Sequence, residues 1–238
     1  MLVTVKTKHR LRKLSALIIF ISLLYGCDVA FYPYYLQRNR LNVAFVLDVS
    51  GSMGASQISG MKEAVKIALG RLNENDIISI VTFDSAAYVV LAPVYVTNKE
   101  SLESTIDSLP VTGGGTNIYA GMAEGYNQVA VNYSETLANS IIVLSDGDST
   151  GEMTALAAEK KEQGVTVSAI ALGNGANTAL LKDIAMCGGG TYYWISDPAN
   201  IGQAFQDEID SLLVPINDTQ DAIPTLDPEA NPPASSCP

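Results

Sequence analysis

Apolar and polar positions along the chain repeat with two periods. Residues 41–48 (LNVAFVLD) are a nearly continuous apolar run closed by a carboxylate, as expected of a strand buried on both faces. Residues 57–72 instead place Ile58, Met61, Val65, Ala68 or Leu69, and Leu72 on one helical face. DIISIVTF (76–83) is a second buried strand, and AAYVVLA (86–92) follows too soon for a crossover helix, so it should pair antiparallel at an edge. A helix carrying Leu102, Ile106 and Leu109 comes next, then Gly113-Gly114-Gly115 and a helix over about 117–132. Strands are predicted at 140–146, 165–172 and 191–195, with helices near 151–163, 177–186 and 198–213 between and after them.

Strands alternating with helices predict an α/β domain: a doubly wound, mostly parallel six-stranded sheet with one antiparallel edge strand and helices on both faces. The implied organisation is a leader at 1–26, a tether at 27–40, one domain at 41–214, and a disordered Pro- and Asp-rich tail at 215–238. Trp194, with Tyr192 and Tyr193, reads as edge-strand packing rather than a ligand platform. Loops gather at the carboxyl ends of the strands where the strand order reverses, which is where such folds place their sites.

Charge narrows the function. The chain carries 25 acidic and 14 basic residues, for a net −11. Five of the basic residues (Lys6, Lys8, Arg10, Arg12, Lys13) lie in the first 13 positions, and without them nine basic residues face 25 acidic ones, a net −16. Such a body repels phosphate backbones, so nucleic acid is not the expected partner. The only histidine, His9, is in the same leader. The domain therefore has no histidine for a Ser-His-Asp triad or a His-ligated zinc site.

The basic residues 6–13 followed by the apolar run 14–25 have the length and flanks of a secretory signal, and the run is short for a membrane span. Leu24-Tyr25-Gly26-Cys27 resembles the lipobox of bacterial lipoproteins, although Tyr25 stands where a small residue is usual. The resemblance implies lipidation of Cys27, and Asp28 after it resembles an inner-membrane retention signal. An uncleaved anchor running towards Leu36 and simple secretion are the other readings. All three put the domain outside the cytoplasm, with lipid attachment to the periplasmic face of the cytoplasmic membrane preferred. An oxidising compartment permits a bridge between Cys187 and Cys237, but the place of Cys237 in a polar tail favours a buried Cys187 and an unpaired Cys237.

Three loops carry candidate chemistry. The first reads Asp48-Val-Ser50-Gly-Ser52, and alternation puts Asp48, Ser50 and Ser52 on one side. The second offers Thr116 after three glycines, and the third offers Asp146 at the end of an apolar strand. Two carboxylates and three hydroxyls form a hard-oxygen donor set suited to Mg²⁺ or Mn²⁺, with Ca²⁺ also possible by ligand type. Each residue alone has a plainer explanation: Ser50 and Ser52 as turn or cap residues, Thr116 as the cap of the helix near Asn117, Asp146-Gly147 as a turn. Asp48 is hardest to explain that way, because a carboxylate ending a buried strand needs a partner. Asp84 and Asp148 lie near the same rim and are expected to face solvent.

The order Asp-x-Ser-x-Ser, Gly-Gly-Thr, then a strand ending Ser-Asp-Gly resembles the von Willebrand factor type A domain and its metal-ion-dependent adhesion site, over roughly 41–213. The resemblance implies that Asp48, Ser50, Ser52, Thr116 and Asp146 hold a divalent ion whose shell is completed by an Asp or Glu carboxylate of a protein partner. The expected function is therefore non-enzymatic, cation-dependent protein binding. A Mg²⁺-dependent phosphohydrolase with Asp48 as nucleophile is the rival, but Ser50 stands where a second aspartate is usual, and Lys62, Lys160 and Lys161 are poorly placed to serve it. A scaffold subunit whose metal is only structural is the third reading.

Overall fold

The computed structural model describes residues 38–111, 113–214 and Cys237. The leader, Cys27, the tether as far as Gln37, and the tail apart from Cys237 lie outside the described residues. Six strands form one sheet: β1 (Arg40–Asp48), β2 (Ile77–Phe83), β3 (Ala87–Tyr95), β4 (Leu137–Ser145), β5 (Val165–Leu172) and β6 (Gly189–Ile195). Their order is β3-β2-β1-β4-β5-β6, with β3 antiparallel to β2 at one edge and every other pairing parallel. The expected doubly wound sheet with one antiparallel edge strand is thus what forms.

β1 lies between β2 and β4, with Phe45 opposite both Ile80 and Ile142. Its side chains alternate between two apolar layers, which is why the run has almost no polar position. Val43, Phe45 and Leu47 enter the layer covered by α1 (Ala55–Arg71), α2 (Lys99–Asp107) and α6 (Ile201–Leu213). Phe45 stacks there on Phe205, with ring centroids 5.7 Å apart. Ala44 and Val46 enter the opposite layer, beneath α3 (Ile118–Val131), α4 (Met153–Glu162) and α5 (Thr178–Gly188). Among the described residues no helix is long and apolar enough to cross a membrane.

Several local expectations need correction. α2 stops at Asp107, and Leu109 reaches the core from the turn beyond it. The last helix starts at Ile201, after a 3-10 turn over Pro198–Asn200. Cys187 and Cys237 form a disulfide, with Cα atoms 5.4 Å apart across 50 residues of sequence. Cys187 is buried in the last turn of α5, at the margin of the layer against which Cys237 also packs. The polar composition of the tail said nothing about where its end would return. Tyr193 packs as expected, against the α6 layer, whereas Trp194 stands exposed at the end of β6.

Candidate metal centre

The parallel strands all end on one rim, and the chain leaves β1 towards β2 on one side while β4 lies on the other. Asp48 closes β1 at this reversal and is fully buried. Its Oδ1 accepts from the Ser50 backbone N–H at 2.8 Å, and its Oδ2 accepts from Ser145 Oγ at 2.5 Å. Burial pushes the Asp48 carboxyl above its ordinary range, the bonds from Ser145 and Ser50 oppose that, and the charge of Asp146 adds to it.

From Asp48 the site continues through hydroxyls. Ser50 Oγ lies 3.1 Å from Ser52 Oγ, so the two serines do point to one side of the loop. Ser52 Oγ donates to Asp146 Oδ1 at 2.7 Å, which carries the cluster from the β1–α1 loop to the β4–α4 loop. Neither serine caps α1, whose N-cap is Gly54. Thr116 does not cap α3 either: the Asn117 side chain accepts from the Ala120 N–H at 3.0 Å and takes that role. The Thr116 side chain instead packs on Gly147, where an added Cβ would lie 2.8 Å from Thr116 Oγ1. That contact places Thr116 beside the residue that follows Asp146. All five expected residues therefore meet on one rim, while Cys27 lies outside the described residues.

The glycine loop is sewn to the first loop by backbone bonds, Gly51 N–H to Gly114 O at 3.1 Å and Gly113 N–H to Val49 O at 3.1 Å. Gly113 and Gly114 adopt φ of 110° and 120°, which side chains rarely tolerate, so this loop depends on glycine. Of the two rim acids expected to face solvent, Asp148 does, with its carboxylate accepting from Asn177 Nδ2 at 2.8 Å. Asp84 does not. It is buried, and its Oδ1 accepts from the Ala86 N–H at 3.0 Å because the β2–β3 turn folds back over it.

Two residues of the centre were not anticipated. Ser145 donates to Asp48 and accepts from the Gly147 N–H at 3.2 Å. It stood in the Ser-Asp-Gly end of the strand, where the sequence alone assigned it no role. Gln57 Nε2 donates to Asp146 Oδ2 at 3.1 Å, while its Oε1 accepts from the Gly54 N–H at 2.8 Å. Nothing in a helical polar position announces that role.

Among the described residues no three His, Cys, Asp or Glu side chains cluster to hold a metal. The donor set here is two carboxylates and three hydroxyls, which fits a hard divalent cation. Two carboxylates sharing one bonded chain, one of them pushed up by burial, are a place where a cation relieves both repulsion and desolvation.

Comparison with known proteins shows the family and the fold. The model of the von Willebrand factor type A domain family matches residues 42–207. The Escherichia coli protein YfbK is 27% identical over 183 residues, covering 74% of this chain and 32% of YfbK. The mouse calcium-activated chloride channel regulator 3A-1 is 30% identical over 173 residues, covering 71% of this chain and 19% of the regulator. The chain thus spans about a third of one relative and a fifth of the other. Among solved structures, proximal thread matrix protein 1 from the mussel byssus, described with a zinc-occupied MIDAS motif, superposes with a TM-score of 0.64 at 23% identity, covering 73% of this chain and 46% of its own.

Proposed function

The chain belongs to the von Willebrand factor type A domain family, and from that premise we propose that it is a non-enzymatic module that grips a protein partner through a bound divalent cation. The observation that carries this reading is the bonded run Asp48–Ser50–Ser52–Asp146, which brings oxygens from two loops together with Thr116 from a third. Asp48, Ser50, Ser52, Thr116 and Asp146 would hold the ion, with Mg²⁺ preferred on donor chemistry and Mn²⁺ or Ca²⁺ as alternatives. Because three of the five donors are neutral, the ion keeps positive character and attracts an Asp or Glu of the partner. An acidic body can bind an acidic ligand in this way.

Two of the three lysines weighed for a phosphohydrolase are engaged elsewhere: Lys62 Nζ donates to Asp107 O at 2.8 Å, and Lys160 pairs with Glu159 at 3.0 Å. These contacts favour binding over phosphoryl chemistry. The leader and Cys27 support placement of the domain on the periplasmic face of a bacterial membrane, held by lipid. The Cys187–Cys237 bridge is consistent with an oxidising compartment.

Calorimetric titration of the purified full chain with Mg²⁺ and Mn²⁺, against a folded Asp48→Ala variant, tests the centre. Saturable binding in the wild type and none in the variant is expected. Equal heats in both, or none up to millimolar ion, would overturn the reading.

A further inference from the structure

Trp194 has a feature that edge packing does not explain. It is the only tryptophan of the chain, stands at the carboxyl end of β6, and keeps 53% of its surface exposed. One bond tethers the ring: its Nε1–H donates to Gly173 O at 3.3 Å, and the Gly173 N–H donates to Ile195 O at 2.7 Å. Its polar handle is satisfied within the protein, so what it offers outward is an apolar face.

The same anchor leads back to the candidate centre. A Cβ on Gly173 would lie 3.5 Å from Gln57 Nε2, the amide that donates to Asp146 Oδ2. Asp146, Gln57, Gly173 and Trp194 therefore form a contiguous run along the carboxyl rim of the sheet. Two residues of the intervening turn, Gly173 and Gly175, contribute no side chain to this run. Tryptophan is among the side chains most often found as binding anchors, since with two side-chain torsions it loses little entropy on contact.

Resting on the reading of the centre given above, we propose that Trp194 is a second anchor of the partner face. It takes an aromatic or branched aliphatic side chain that the partner carries a fixed few residues from its metal-bound carboxylate. The partner segment is thus an acidic residue paired with an apolar one, and Trp194 discriminates between acidic segments that the ion alone would not distinguish.

The test is selection of phage-displayed random peptides on the purified full chain in Mg²⁺, with elution by EDTA. The expected consensus is an Asp or Glu with Phe, Tyr, Trp, Leu or Ile at constant spacing. In a synthetic peptide of that consensus, replacing the apolar residue by alanine should weaken binding roughly five- to tenfold in the wild type. It should have no effect in Trp194→Ala, whose Mg²⁺ titration stays unchanged, and Trp194→Phe should keep most of the preference. The proposal falls if the consensus is an acid with no fixed companion or with a basic one. It falls also if the preference survives in Trp194→Ala, or if a chain that binds Mg²⁺ yields no EDTA-eluted peptide. A chain that binds no Mg²⁺ overturns the reading of the centre, and this proposal with it; calorimetry separates that case before any peptide is applied.

Discussion

Ser52 Oγ donates to Asp146 Oδ1 across 2.7 Å, joining two loops 94 residues apart in the chain. Ser52 is exposed and adds nothing to either core layer, so the bond serves the rim rather than the fold. Its two ends are a hydroxyl and a carboxylate that both have free lone pairs for a cation.

Ser52→Ala should therefore separate site from stability. Loss of one partly exposed bond should lower stability by no more than about 1 kcal/mol. Loss of a proposed ligand should weaken Mg²⁺ binding by at least about tenfold, since even outer partners of a metal site typically contribute 10- to 100-fold. Thermal melts and calorimetry on the same preparation check both. A variant with wild-type Mg²⁺ affinity would remove Ser52 from the ligand set.

Ser145→Ala should behave differently, because Ser145 acts through Asp48. Its hydroxyl donates at 2.5 Å to a buried carboxylate, which would be left with an unmet acceptor. A stability loss of about 1–3 kcal/mol is expected together with a 10- to 100-fold weaker Mg²⁺ affinity. Urea denaturation with and without saturating Mg²⁺ checks this, and retention of both properties would show that the bond is incidental.

Much of this was legible in the sequence, for identifiable reasons. The middles of β1 and β4 are buried on both faces, so the stretches 43–47 and 141–144 are free of polar residues, and the short link before β3 forced an antiparallel return. Asp48, Ser50 and Ser52 follow one another at strand spacing, so local geometry alone predicted their common side. The roles of Gln57 and Ser145 were not legible because they depend on which loop lies opposite, a relation of tertiary structure. The fate of Cys237 was misread for a similar reason: composition describes solvation of a segment, while a bridge depends on where its end returns.

α3 packs closely on the sheet, and Gly121 and Gly125 make that possible. A Cβ at Gly121 would lie 2.6 Å from Phe83 Cδ1, and one at Gly125 would lie 2.5 Å from Val46 Cγ2. Alanine improves an isolated helix by about 1 kcal/mol over glycine, but here overpacking should outweigh that gain. Gly125→Ala is expected to destabilise by about 1–3 kcal/mol in urea denaturation. A stabilised variant would mean that α3 shifts outward freely.

The Cys187–Cys237 bridge closes a span of 50 residues, so its loss should destabilise by about 2–4 kcal/mol, chiefly by releasing the unfolded chain. Reductant should lower the melting temperature of the wild type and leave Cys237→Ser unchanged, at a value near that of the reduced wild type. Identical melts with and without reductant would show that the bridge contributes no stability.

Glu208 gives the domain a pH dependence separate from the metal centre. It projects from α6 into a buried niche where Ser168 Oγ donates to its Oε1 at 2.7 Å and Tyr193 OH to its Oε2 at 3.2 Å. Burial pushes its carboxyl above the ordinary value of 4.5, with the hydroxyls of Ser168, Tyr193 and Thr191 pulling the other way. The folded state therefore holds this proton more tightly than the unfolded chain does. The resulting stabilisation is complete below about pH 4.5 and is lost as pH rises through the raised folded value. Glu208→Gln keeps the neutral shape without the charge, its amide oxygen accepting from Ser168 and its amide nitrogen donating to the Tyr193 hydroxyl oxygen. It should match the wild type at the acidic end and exceed it by roughly 1–3 kcal/mol at pH 8. Urea denaturation of both proteins across that range checks the difference, and parallel curves would mean that the niche tolerates the charged carboxylate as readily as water does.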